Sequence, residues 1–298
     1  MASESVAQFS GSILADVTSA DEPATSQIIL DRDLLCIDSV QGSEDEPEGD
    51  EGLSIEIPLD SIVDIVIGPP PQAIADQFTT ETVTISYGND DRHVLHVGHP
   101  EQETLTRFGN ILFMSILNET DIIFRRPVEI GRDVTNQSPV SGKLYLRQNT
   151  VHAVNPDDAF TIPLNTVIDF ATCRRDFNDE EKACVAVSYL RDGASMHAEI
   201  AVESNRKINL LGRYLRRQYR QLREALNDFD LSKAEIKLLV KLCSLGGEAT
   251  VQSLLPERSK RSFETLAKLD GRGLVTVYDG QITMSPEGWI IATDEIGH

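Results

Sequence analysis

The chain has 298 residues, 40% of them apolar, with a net charge of −21 and four cysteines. That is enough apolar content to bury a core in each of several modules without metal or disulfide staples, and the acid surplus repels nucleic acid and anionic lipid. No run of eighteen apolar residues is present, and Met1-Ala-Ser-Glu-Ser-Val lacks the basic-then-apolar pattern of a secretory signal; the expectation is a soluble cytoplasmic protein with no integral membrane segment.

In chain order, the first elements are short strands that occur twice. Ile-Glu-Ile-Pro-Leu-Asp-Ser-Ile-Val-Asp at 55–64 returns as Phe-Thr-Ile-Pro-Leu-Asn-Thr-Val-Ile-Asp at 160–169, four of ten positions being identical. Upstream, residues 28–37 parallel 144–153; downstream, Val-Thr-Ile-Ser-Tyr at 83–87 parallels Val-Ala-Val-Ser-Tyr at 185–189. The upstream offset is longer because Gln-Gly-Ser-Glu-Asp-Glu-Pro-Glu-Gly-Asp-Glu at 41–51 reads as an inserted acidic loop with no apolar period. Each copy ends in an amphipathic helix, Leu105, Phe108 and Leu112 matching Ile208, Leu211 and Leu215 at helical spacing.

The duplication predicts an α+β chain of two similar modules, 1–120 and 121–228, each made of strands and closed by a C-terminal helix. Small bent sheets plugged by a terminal helix resemble the pleckstrin-homology fold. A tandem of another small β-barrel fits the same pattern, since period-two runs identify strands without setting their order.

The segment 229–298 is not part of the repeat. Ser232-Lys-Ala-Glu235 is a capping box that opens an apolar helix, and Gly246-Gly247 stops it. A short helix over 250–255 ends at Pro256, and a third begins near Ser259 with Phe263, Leu266 and Leu269 on one face. Asp279-Gly280 joins two short strands as a hairpin, and Ser285-Pro286 starts a last helix. Three helices and a two-stranded wing predict a winged helix-turn-helix.

Charge is unevenly spread. Asp plus Glu against Lys plus Arg is 24 to 4 over residues 1–125, 15 to 15 over 126–230 and 9 to 8 over 231–298. Lysine is scarce, 8 against 19 arginines; this balance fits a halophilic cytoplasm, where about 1 M salt shortens the Debye length to about 3 Å. An acidic docking face for a basic partner is the competing account.

Two cationic strips are candidate partner-binding sites. On the winged-helix segment Lys260, Arg261, Lys268 and Arg272 offset Glu264, with Arg258 in the preceding turn. On the helix closing the second module, Arg213, Arg217 and Arg220 share one face, with Arg216 and Arg223 beside them. A solvated face with no partner is the plain alternative for both. DNA readout is disfavoured because only Arg261 sits where a base-reading side chain is wanted, and because this segment is not basic overall.

Catalytic and cofactor motifs are missing from the sequence: no Gly-x-Gly-x-x-Gly or Walker loop, no Gly-x-Ser-x-Gly elbow. His93, His96 and His99 look like a metal cluster until placed on a strand, where 93 and 96 face opposite sides and 93 and 99 are roughly 20 Å apart. Asp90-Asp91 and Asp157-Asp158 read as turns. Cys36, Cys173, Cys184 and Cys243 are scattered and read as buried reduced thiols. The expectation is no enzyme, no cofactor and no metal.

The tandem strand-rich units with Ile-Pro-Leu and a following Asp64 or Asp169, and then the capped run 231–242 of the winged helix, resemble the archaeal taxis protein family CheF over about residues 9–296. The resemblance implies an adaptor in chemotaxis and phototaxis that links the Che signalling system to the archaellum motor at its cytoplasmic base. Its implied partners are phosphorylated CheY, CheC, CheD and archaellum accessory proteins, with no nucleic acid expected. A DNA-binding winged-helix transcription regulator is the alternative, and a membrane-surface module fits worst because the first module is so acidic.

Overall fold

The computed structural model describes residues 5–17, 22–39, 54–88, 91–129, 137–147, 149–191, 194–227, 230–256 and 259–296; the acidic segment 41–51 and Arg258 lie outside the described residues. The chain is α+β, its strands antiparallel, and it divides into two compact units. One comprises Met1–Thr120 and Ser204–Tyr214, the other Asp121–Glu203 and Leu215–His298.

The first unit holds β1 (Ala7–Ala15), β2 (Ala24–Leu30), β3 (Leu34–Ser39), β4 (Ser54–Pro58), β5 (Ile62–Gly68), β6 (Thr82–Tyr87), β7 (His93–Gly98) and helix α1 (Gln102–Leu117). They form one sheet in the order β4-β3-β2-β1-β7-β6-β5. Alternating apolar positions face one side, so Ile13, Ile28, Leu35, Ile37, Ile57, Val83, Ile85 and Val97 are all buried. Leu105, Phe108 and Leu112 are buried as well, and α1 packs on β5 and β6.

The second unit repeats that order. β8 (Thr120–Glu129), β9 (Val140–Arg147), β10 (Thr150–Asn155), β11 (Asp158–Pro163), β12 (Val167–Phe177), β13 (Glu180–Arg191) and β14 (Ala194–Val202) pair as β11-β10-β9-β8-β14-β13-β12. Even the irregularities recur. A single 3-10 turn follows each Ile-Pro, over Leu59–Ser61 and Leu164–Thr166, and a register shift follows it, between Ile62 and Asp64 and between Val167 and Asp169. Such a bulge bends the strand where the next residues must turn over the core.

Helix α2 (Asn205–Asn227) departs from the expected closing of the second module alone. Its first half goes with the first unit, where the Tyr214 ring lies tilted against Phe113 with centroids 5.7 Å apart and Arg206 Nη1 donates to the carbonyls of Leu59 (3.1 Å) and Ile62 (2.7 Å). Its second half goes with the second unit, where Tyr219 Oη donates to the Ile168 carbonyl at 3.2 Å and its ring meets Phe170 edge-on. Leu210 and Tyr214 are buried along with the expected Ile208, Leu211 and Leu215.

After α2 come α3 (Lys233–Ser244), β15 (Glu248–Thr250), α4 (Val251–Leu254), α5 (Lys260–Gly271), β16 (Val275–Tyr278), β17 (Gln281–Met284) and α6 (Pro286–Ile296). The local signals act as read. Ser232 and Glu235 form both halves of the capping box, Thr250 and Ser259 accept from the third residue of α4 and α5, and Asp279-Gly280 turns with φ of 46° and 74°. Leu239, Leu242, Leu254, Leu269, Leu274 and Ile282 pack into one core. Within the second unit α6 also packs on β12 and on the turn at Leu164–Thr166.

Candidate partner-binding surface

The α5 strip is solvated, and its members differ in how far the fold employs them. Lys260 is nearly fully exposed and 3.8 Å from Glu264, one turn on. Lys268 is exposed. Arg272, just past α5, donates to the Asp230 carbonyl at 2.9 Å and stands 3.6 Å from Glu235. Burial of Glu235 works to raise its pKa, but the hydrogen bonds from Ser232 and the nearby Arg272 outweigh it and hold the carboxyl below its ordinary value. Arg272 is thus a structural cation that ties α5 to the start of α3.

Arg261 is placed differently. It lines a groove of about 380 Å³ between α3, α4 and α5, together with Lys237, Leu238 and Lys241 of α3, Leu254 of α4 and Pro256. Lys241 Nζ donates to the Leu254 carbonyl at 2.5 Å, capping α4. Lys237 and Lys241 were not among the predicted residues. Their four-residue spacing on α3 is readable, but that they line one groove with Arg261 depends on how α3 packs on α5.

The α2 strip is engaged within the fold. Arg213 makes a two-pronged contact with Asp64, Nε to Oδ1 at 3.1 Å and Nη2 to Oδ2 at 3.0 Å. Arg216 lies 6.0 Å over the Phe170 ring, Arg217 is half-buried, and Arg220 is exposed. Arg213 groups with the first unit and Arg216, Arg217 and Arg220 with the second.

Other polar clusters are structural. His93 faces Asp16 at 3.6 Å, His96 pairs with Thr84 at 3.0 Å, and His99 turns to the backbone of Glu101. Among the described residues no group of three His, Cys, Asp or Glu side chains could hold a metal ion. Ser188, His197 and Glu199 line up on β13 and β14, Oγ to Nδ1 at 3.2 Å and Nε2 to Oε1 at 3.9 Å. These are hydrolytic residue types, but Glu199 is committed elsewhere: Arg125 Nη1 binds one oxygen at 2.7 Å and Arg175 Nε the other at 3.1 Å. Among the described residues no helix is long and apolar enough to cross a membrane.

A family model described as "Archaeal Chemotaxis signal transduction system protein F" matches residues 6–221. The "Taxis protein CheF2" of Halobacterium salinarum (strain ATCC 29341 / DSM 671 / R1) is 30% identical over 281 residues, covering 94% of this chain and 93% of that protein. Among solved structures, the complex of the PDZ-RhoGEF DH/PH domains with GTP-gamma-S activated RhoA aligns with 38% of this chain and 29% of that one, at 10% identity and a TM-score of 0.26, too loosely to support a fold argument.

Proposed function

The chain belongs to the archaeal chemotaxis signal transduction family CheF, and from that premise we propose that it is a non-enzymatic adaptor joining phosphorylated CheY, with CheC and CheD, to the archaellum motor switch. The proposal puts it at the cytoplasmic base of the motor, in contact with archaellum accessory proteins, in a halophilic cell. Residues 1–120 and 121–228 are taken as pleckstrin-like modules and 229–298 as a winged helix-turn-helix. Support for the modules is the shared seven-strand order, each sheet followed by a helix; support for the winged helix is the succession of α3, α4, α5 and the β16–β17 hairpin.

The observation that carries the reading is the groove ringed by Lys237, Lys241 and Arg261 on a chain whose net charge is −21. A local cationic rim around Leu238 and Leu254 suits an acidic protein surface, with the apolar floor supplying affinity and the rim supplying approach rate and orientation. An adaptor signals only if it binds the phosphorylated and unphosphorylated regulator with different affinity. Lys260, Lys268 and Arg220, solvent-exposed on the same unit, extend the proposed contact, whereas Arg272 is held by the Asp230 carbonyl and Glu235, and Arg213 of the first unit by Asp64.

The test is titration of the full chain with CheY, with and without beryllium fluoride as phosphoryl mimic, at high salt. Arg261→Glu and Lys237→Glu should each weaken capture of the activated form by about tenfold or more, with the circular dichroism spectrum unchanged. Unaltered affinity in both variants would remove the groove from the interface. Equal affinity for the two forms of CheY would remove the adaptor reading, and a salt-sensitive gel shift on duplex DNA would favour transcription control instead.

A further inference from the structure

Cys173 of β12 and Cys184 of β13 are cross-strand partners, and their Sγ atoms stand 3.3 Å apart. Both are free thiols. They are eleven positions apart, a spacing that matches no thiol motif; the antiparallel register alone brings them together. They sit on the outer face of the second sheet, in one row with Ala201 of β14 and Ile123 of β8. Phe177, at the end of β12, is fully buried against Cys184 and Ala201.

We propose that Cys173 and Cys184 are a thiol-oxidation site that closes to an intramolecular disulfide on exposure to a hydroperoxide. Directly opposed residues of an antiparallel pair have Cα atoms about 4.5–5.5 Å apart, inside the window of about 4.4–6.8 Å that a disulfide spans. Closing the bond therefore requires side-chain rotation and no strand displacement. Cys173 is half-buried and open to a small oxidant, whereas Cys184 has no exposed surface. Burial, reinforced by the hydrogen bond with Cys173, also pushes the Cys184 thiol far up, so it is a poor first nucleophile.

The order of events follows from that asymmetry. The Cys173 sulfur, as thiolate, attacks the terminal peroxide oxygen; the O–O bond breaks, the alkoxide or hydroxide leaves and takes up the proton that Cys173 gave, and a sulfenic acid remains. The Cys184 sulfur then attacks the Cys173 sulfur, the S–O bond breaks, and the hydroxyl departs as water with the Cys184 proton. The two thiols lose two electrons in all and one peroxide gains them. The bond ties β12 to β13 just before Arg175 and Phe177, the residues that reach Glu199 and cover Cys184. In the first sheet the equivalent positions are Gly68 and Thr82, so the chemistry is confined to the second.

Full-length protein treated with a few equivalents of hydrogen peroxide, quenched in acid, unfolded and alkylated with N-ethylmaleimide provides the test. Two of the four thiols should be lost, the unalkylated monomer should lighten by about 2 Da, and non-reducing peptide mapping should recover 173 linked to 184. The Cys36→Ser/Cys243→Ser double variant should show the same loss of two, and Cys173→Ser should abolish it while keeping the circular dichroism spectrum. Retention of all four thiols at a peroxide dose that fully oxidises dithiothreitol would overturn the proposal. So would a disulfide between chains, or a Cys173 sulfinic acid beside a still-alkylated Cys184.

Discussion

The two seven-stranded sheets share strand order, bulges and inner faces, and differ most on their outer faces. Gly68, Thr82, Gly98 and Ser12 form one outer row in the first; the matching row in the second is Cys173, Cys184, Ala201 and Ile123. Each row meets a phenylalanine that arrives by a different route. Phe78 follows the 3-10 turn Gln72–Gln77 and leaves no room for a Cβ on Gly98, which would fall 2.5 Å from its ring; Phe177 arrives at the tip of a two-residue hairpin, Asn178-Asp179, with φ of 59° and 65°. One row along, His96 and Leu14 in the first sheet correspond to Glu199 and Arg125 in the second. Inner faces are constrained because a register slip would turn every apolar side chain to water. Outer faces are bound only by what covers them, so the copies diverged there.

The largest effect should come from breaking the outer ion pair. Arg125 and Glu199 are 5% and 3% exposed, Arg125 also donates to the Asp176 carbonyl and lies 4.5 Å over the Phe177 ring. Arg125→Met leaves one oxygen of the buried Glu199 carboxylate without its cation, Arg175 still holding the other, and is expected to destabilise the second sheet by about 3 kcal/mol, against less than about 1.5 kcal/mol for Leu14→Met at the matching site. Amide hydrogen exchange along β8 and β14, compared with β1 and β7, reads the difference; equal losses would mean that the pair contributes nothing specific.

Exchanging the small residues under the two phenylalanines should matter less. Gly98→Ala forces Phe78 aside and is expected to cost about 1–3 kcal/mol, while the reverse change, Ala201→Gly, should cost roughly 1–2 kcal/mol through backbone freedom and the lost buried methyl. Urea denaturation of both variants checks the order, and a neutral Gly98→Ala would show that Phe78 yields freely.

A pH slope separates the sheets further. Burial lowers the His96 pKa, with Asp16 opposing in part. Its stabilising contribution is therefore present above the unfolded value of about 6.5 and is lost as pH falls through the folded value. His96→Gln should flatten that acid slope in β6 and β7 exchange. The second sheet keeps its own slope through His152, whose pKa is lowered by burial and by Arg147, so a variant that flattened both would contradict the assignment.

The smallest effect is expected at Asp64. Its contact with Arg213 has good geometry but is 33% and 46% exposed, and solvent screening limits it to within about 1 kcal/mol. Asp64→Asn should shift the urea midpoint of the first unit only slightly, since Asp64 Oδ1 also accepts from the Ile65 amide at 3.0 Å. A loss well above that figure would make the contact a principal hold on α2.

Much of the fold was legible because its causes are local. Alternating Ile and Val marked the strands, Ser232 with Glu235 marked the start of α3, and Asp279-Gly280 marked the hairpin, each through bonds or burial spanning a few residues. Of the candidate surface, Arg261 was found from its place on α5, whereas Lys237 and Lys241 escaped notice on an apolar helix. The return of residues 55–64 at 160–169 marks the duplication, and the duplication followed by the capped run 231–242 carries the resemblance to the family.

What sequence alone determined, then, was the pair of copies, their caps and turns, and the acid surplus of the first. Only the tertiary structure decided that Arg213 meets Asp64 across 149 residues, that Arg125 meets Glu199 across 74, and that Cys173 faces Cys184. Periodicity and capping act through neighbours a turn or two away and leave a mark in sequence order. Contacts between strands and helices depend on register and packing angle, which the whole core sets at once, so no short stretch of residues encodes them.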